Sequence, residues 1–186
     1  MNLRQLPNII TVARMLMVPL LLWCLNTGDH VAALSIALVA GFTDALDGWL
    51  AKRFGWQTWL GGVLDPIADK LLLDASFIGL WLATAVPGWL AALVVGRDVV
   101  IVSGASAYHF LIGTVTGRPT LLSKVTTVAQ IAFVLALLIG LVWRPLPQDL
   151  SLAAVGLVAA LTLASGIDYV VRWGLRARNT RRARRA

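Results

Sequence analysis

Six stretches of about 20 apolar residues, separated by short polar breaks, limit what this chain can become more than any other feature. They run roughly over Ile9–Leu25, Val31–Leu50, Leu60–Ala83, Trp89–Ile112, Val125–Trp143 and Leu152–Val171. Each is long enough to cross a bilayer as a helix. The breaks carry turn signals: Asn26-Thr27-Gly28-Asp29, Phe54-Gly55-Trp56, Val86-Pro87-Gly88, Gly117-Arg118-Pro119 and Pro145 to Asp149. A hydrophobic content of 59% and a mean hydropathy of +0.80 over 186 residues argue against a soluble globular fold and fit one membrane domain spanning residues 1–186. The expected fold class is all-α: a polytopic membrane protein of six transmembrane helices with a short N-terminal interfacial segment, Met1 to Pro7.

The basic residues orient such a bundle, because Lys and Arg accumulate on the cytoplasmic side. Lys52 and Arg53 lie in the second connection, Arg118 and Lys124 in the fourth, and Arg172, Arg176, Arg178, Arg181, Arg182, Arg184 and Arg185 follow the last span. The first and third connections have no Lys or Arg, and the fifth has only Arg144. Both termini are therefore expected in the cytoplasm, with residues from about 172 to 186 forming a basic tail. Most of the net charge of +7 sits there, placed to meet anionic lipid headgroups rather than nucleic acid. The N-terminus lacks a small-residue cleavage site after a basic segment, so it reads as retained. Trp23, Trp49, Trp56, Trp59, Trp81, Trp89, Trp143 and Trp173 fall near predicted span ends, where indole rings anchor at headgroup level. Cys24 is the single cysteine, which excludes an intrachain disulfide and reads as packing.

Within this apolar background the run DALDGWLAKRFGWQTWLGGVLDPIAD holds four carboxylates, Asp44, Asp47, Asp65 and Asp69. An Asp at the centre of a membrane helix costs roughly 2.5–3.5 kcal/mol on insertion scales, so four of them call for a cationic partner. Residues three and four apart share a helix face. Asp44 and Asp47 form one pair, continued by Gly48 and Ala51, and Gly61, Asp65 and Asp69 repeat the arrangement on the next helix. Two helices in a hairpin would then present two carboxylate pairs to each other. Hard oxygen ligands without Cys or an adjacent His favour Mg²⁺ or Mn²⁺ over zinc, and several carboxylates can hold two divalent cations that clamp a phosphate-bearing substrate. The glycines leave room for a bulky group near the backbone. Lys52 and Arg53 stand where they could meet phosphate oxygens. The cluster falls near the cytoplasmic face, where nucleotides and Mg²⁺ are available.

The same run resembles the signature of the CDP-alcohol phosphatidyltransferase family: Asp, two residues, Asp-Gly, two residues, Ala-Arg, eight residues, Gly, three residues, Asp, three residues, Asp. Asp44, Asp47, Gly48, Ala51, Gly61, Asp65 and Asp69 stand in place, and Lys52 occupies the family's Arg position. Lys keeps the charge but lacks the bidentate fork of Arg. The similarity extends from Pro7-Asn8 to Gln130, and six helices agree with the family's architecture. The resemblance implies transfer of a phosphatidyl group from CDP-diacylglycerol to an alcohol, with release of CMP. It implies that Asp44, Asp47 and Asp65 bind two divalent ions, Mg²⁺ or Mn²⁺, and that Asp69 completes the metal site and is the base for the acceptor hydroxyl. Gly48, Lys52 and Gly61 would line the CDP pocket. A homodimer in a bacterial inner (plasma) membrane is a further implication.

Arg97, Arg118 and Lys124 bear on the acceptor. Phosphatidylglycerophosphate synthases, whose acceptor is glycerol 3-phosphate, usually carry a second Arg beyond the first and a Lys-x-Lys pair here. This chain reads Gly96-Arg97-Asp98-Val99-Val100-Ile101-Val102-Ser103-Gly104-Ala105 and Ser123-Lys124-Val125-Thr126, so both second cations are missing. The pattern looks more like CMP-forming cardiolipin synthases, and phosphatidylglycerol is the favoured acceptor, with glycerol 3-phosphate the alternative.

Plainer readings stand beside these. Arg97 and Asp98 could form a satisfied buried pair, and Ser123-Lys124 could simply start a helix. Arg14 faces inward among apolar residues, where an Asp or a phosphate could meet it. Lys70 with Asp74 and Asp168 with Arg172 have ion-pair spacing, Asp29 and Asp149 read as helix caps or solvated side chains, and His109 reads as interfacial. An ion or proton transporter would also carry intramembrane carboxylates, but spread over several spans with broken helices. An inactive scaffold is disfavoured by the presence of all four Asp.

Overall fold

The computed structural model describes residues 6–54, 59–111 and 120–183, leaving aside the side chains of 6–9, 47, 50–52, 59–66, 105, 107–111 and 175–183. Among these residues all regular secondary structure is helical: α1 (Leu6–Thr27), α2 (His30–Phe54), α3 (Trp59–Leu82), α4 (Gly88–Leu111), α5 (Leu121–Val142) and α6 (Gln148–Ala183). Six helices follow the six apolar stretches in order. Among the described residues, the spans Ile10–Thr27, Leu121–Val142 and Gln148–Gly174 are long and apolar enough to cross a membrane on those grounds alone, while α2 has a shorter apolar stretch, His30–Leu46, that includes Asp44. Large apolar side chains turn outward in every helix, among them Leu16, Phe42, Leu71, Val99, Val128 and Ile167. Water would penalise such a surface and lipid would not. The chain is an integral, polytopic membrane protein.

The helix ends show why these boundaries fall where they do. Asp29 caps α2, its carboxylate accepting from the Ala32 N–H at 3.0 Å. Before it, Gly28 takes a φ of +79° and the Asp29 N–H bonds to the Cys24 carbonyl at 2.9 Å, closing α1. At the end of α3 the same left-handed closing position is filled by Thr84, φ +58°, with Ala85 N–H on the Leu80 carbonyl and Thr84 N–H on the Trp81 carbonyl. Thr120 caps α5 by accepting from Ser123 N–H at 3.2 Å. That cap starts α5 at Leu121, earlier than the apolar stretch does. The interfacial segment expected for Met1 to Pro7 falls outside the described residues up to residue 5, and Leu6 and Pro7 already belong to α1. The basic tail is not a break from the last span: α6 runs on to Ala183, 36 residues or roughly 54 Å at 1.5 Å per residue.

The chain forms two compact units. One comprises Met1–Gly88 with Val134–Leu146, the other Trp89–Phe133 with Pro147–Ala186. In the first, α1 packs against both α2 and α3. Its buried stripe is Thr11, Arg14, Leu21, Cys24 and Leu25, facing Ala33 and Ala40 of α2 and Ala68, Leu73, Ser76, Phe77 and Leu80 of α3. Close approach of α1 and α3 requires Gly79, where an added Cβ would stand 2.5 Å from Leu25 Cδ1. In the second unit α4, the first half of α5 and α6 are joined by polar contacts. Tyr169 donates to the Ile101 carbonyl at 2.8 Å, and its ring lies where a side chain at Gly104 would go. Gln130 donates to Thr162 Oγ1 at 3.0 Å, and Thr126 Oγ1 donates to the Leu161 carbonyl at 3.2 Å. Such bonds join helices where apolar surface has lipid as an equal alternative.

Candidate functional site

Helical periodicity brings Asp44 and Asp69 to the inner faces of their helices. Asp44 lies four residues beyond Ala40 and eleven beyond Ala33, on the buried stripe of α2; Asp69 lies four, seven and eleven residues before Leu73, Ser76 and Leu80 on the stripe of α3. Both stripes face α1. There the buried Arg14 places one nitrogen, Nη1, 2.8 Å from Asp44 Oδ1 and 2.7 Å from Asp69 Oδ1. The guanidinium side chain is 1% exposed, whereas the two carboxylate side chains are 41% and 46% exposed. The cation therefore grips from inside, and the carboxylates keep an open side.

Asp47 is three residues after Asp44 in α2 and Asp65 four before Asp69 in α3, with helical backbone at both positions. Their side chains, like those of Lys52 and Gly61, lie outside the described residues. Among the described ones no group of three metal-ligating side chains is gathered. The donor set that is visible, two hard carboxylate oxygens from different helices converging within reach of one small cation, suits Mg²⁺ or Mn²⁺. A Cβ at Gly48 would touch nothing within 4 Å. Among the described residues no neighbouring helix demands that glycine. Arg53 is exposed, with its guanidinium 5.5 Å from the centre of the Trp49 ring one turn earlier.

Arg97 belongs to the second unit. It is buried, paired with the equally buried Asp98, and donates through Nη2 to Ser123 Oγ and Ser165 Oγ, both at 2.8 Å. Its charge is used within α4, α5 and α6, as the buried-pair reading expects. Ser165 had no signal in the sequence beyond being a small polar residue inside an apolar span. Lys124 is exposed in the first turn of α5, its N–H on the Thr120 carbonyl at 3.1 Å. Arg118 lies outside the described residues, as does the side chain of His109. Asp168 and Arg172 form the expected pair, 2.6 Å apart.

The sequence profile described as CDP-alcohol phosphatidyltransferase matches residues 4–167. The chain is 36% identical to a cardiolipin synthase (CMP-forming)/mitochondrial hydrolase fusion protein of Schizosaccharomyces pombe, over 91% of this chain and 31% of that one. It is also 36% identical to a probable phosphatidylglycerophosphate synthase of Mycobacterium tuberculosis, over 92% of this chain and 82% of that one. With CDP-diacylglycerol–glycerol-3-phosphate 3-phosphatidyltransferase of Bacillus subtilis the identity is 31%, over 89% of this chain and 93% of the relative. The chain thus spans under a third of the fission-yeast relative and most of the two bacterial ones.

Proposed function

Because this chain belongs to the CDP-alcohol phosphatidyltransferase family, we propose that it is an enzyme of phospholipid biosynthesis that transfers a phosphatidyl group from CDP-diacylglycerol to an alcohol and releases CMP. The observation that carries this reading is the convergence of Asp44 and Asp69, from two helices, on one side open to ligand. Asp44, Asp47, Asp65 and Asp69 are the residues that would hold two divalent cations, Mg²⁺ or Mn²⁺. Bound there, such ions supply charge neutralisation for the pyrophosphate and for the departing CMP.

The chain's own groups do the rest. Asp69 takes the proton of the acceptor hydroxyl, so that the oxygen can attack the lipid-linked phosphorus. Its half-exposed side chain leaves room for an acceptor to approach. Lys52 meets phosphate oxygens of the CDP group as a point charge, without the fork an Arg would offer. Gly48 and Gly61 keep the backbone accessible to that group. Arg118 and Lys124 are the candidates for meeting the acceptor, and Arg97 holds Ser123 at the start of α5.

Phosphatidylglycerol is the favoured acceptor. The commitment of Arg97 to Asp98, Ser123 and Ser165 supports it, since this cation is engaged rather than waiting for a free phosphomonoester. Glycerol 3-phosphate is the second reading, favoured by the likeness to the mycobacterial protein named a probable phosphatidylglycerophosphate synthase. The chain would act as one domain in a bacterial inner membrane, with termini and site on the cytoplasmic side, and pair as a homodimer.

The test is CMP release by detergent-purified protein given CDP-diacylglycerol and Mg²⁺ or Mn²⁺, with phosphatidylglycerol and glycerol 3-phosphate supplied separately. Turnover with phosphatidylglycerol alone establishes the favoured acceptor, and turnover with glycerol 3-phosphate alone the other. No CMP with either refutes both.

A further inference from the structure

Arg14 lies outside the aspartate signature, 30 residues before Asp44 in the chain, yet it joins the signature's two helices. We propose that Arg14 is a positioning residue for the metal-binding carboxylates, a resident cation that holds Asp44 and Asp69 in register from the buried side while their outward faces receive the divalent ions. The inference rests on the metal-site reading above and extends it to α1.

Three observations carry it. One nitrogen reaches both carboxylates, at 2.8 and 2.7 Å, so Arg14 ties the two signature helices together at this point. That atom is anchored: Arg14 is 1% exposed and sits on the stripe of α1 that packs against α2 and α3. The carboxylates themselves are nearly half exposed, so the clamp uses their inner side only. Without it, two like charges on adjoining helices would repel each other and each would drift toward water. Outer partners that orient metal-ligating carboxylates usually account for about 10–100-fold in metal affinity. A competing logic exists, in which Arg14 merely stands in for the metal and leaves when it binds. The two make opposite predictions, because removing a competitor tightens metal binding and removing a support weakens it.

The experiment is Mn²⁺ binding by the detergent-purified full chain, followed by electron paramagnetic resonance of free Mn²⁺, for wild type, Arg14→Met and Arg14→Lys. Each sample is taken from the monodisperse fraction. Arg14→Met is expected to weaken Mn²⁺ binding by about tenfold or more. Arg14→Lys, whose shorter side chain reaches one carboxylate at a time, is expected to weaken it several-fold, and it serves as the test by itself if Arg14→Met does not fold. In the weakened variants kcat for CMP release should recover substantially at saturating Mn²⁺, which a collapsed site would not allow. Unchanged or tighter Mn²⁺ binding in either folded variant overturns the proposal and makes Arg14 a placeholder. If the wild type binds no Mn²⁺, the metal-site reading fails with it, an outcome distinct from an unaffected variant beside a wild type that binds.

Discussion

Replacing Arg97 by Met removes one half of a buried ion pair and leaves the other half in place. Asp98 is 4% exposed, and Arg97 is 7% exposed with bonds to Ser123 and Ser165 that would also be lost. Breaking a buried pair by deleting one partner typically costs about 3–5 kcal/mol, because an uncompensated charge stays behind. Charge-assisted bonds to the two serines belong to the same network and do not add independently. Arg97→Met is therefore expected to destabilise the protein by about 4 kcal/mol. Adding Asp98→Leu removes the stranded carboxylate as well, and the double variant should regain at least about half of that loss, since well-packed apolar replacements of buried pairs are often neutral. The assay is unfolding of the detergent-purified protein on titration with sodium dodecyl sulfate, followed by circular dichroism. A single variant within about 1 kcal/mol of wild type, or a double variant no more stable than the single, would refute the reasoning.

The remaining predictions concern the site and the helix contacts. Asp69→Asn should abolish CMP release even at saturating Mn²⁺, and full activity in that variant would remove Asp69 as the base. Asp44→Asn should instead shift the Mn²⁺ dependence of turnover to higher concentration; a superimposable titration curve would count against it as a ligand. Gly79→Val should destabilise by about 1–3 kcal/mol through overpacking against Leu25, read as an earlier unfolding midpoint with the Mn²⁺ dependence unmoved. Thr84→Gly should stabilise by roughly 1 kcal/mol, because a β-branched residue gives up its strained left-handed backbone; a lower midpoint would contradict that.

The candidate site was partly legible because its residues repeat at helical intervals. Asp44 with Asp47, and Asp65 with Asp69, declare a shared face from spacing alone, and Asp44 and Asp69 continue the stripes through Ala40 and Leu73 while staying partly exposed. The partner of that face was not legible. Arg14 read as an inward cation with either an Asp or a phosphate to meet, and the choice depended on α1 lying against both α2 and α3. Arg97 admitted two readings as well. Its burial with Asp98 and its bonds to serines on α5 and α6 commit its charge within that unit.

The sequence by itself determined the helices and their order, because a run of about 20 apolar residues in hydrocarbon must satisfy its backbone internally. It also placed the signature's carboxylates at helical intervals, since spacing alone needs no tertiary information to put residues on a shared face. Only the tertiary structure decided which charges meet. Local contacts set other details, such as the start of α5 at the Thr120 cap. Arg14 meets Asp69 across 55 positions in the chain, and Arg97 meets Ser165 across 68. Periodicity constrains neighbours within a helix, whereas contacts at such separations are set by which helices pack together.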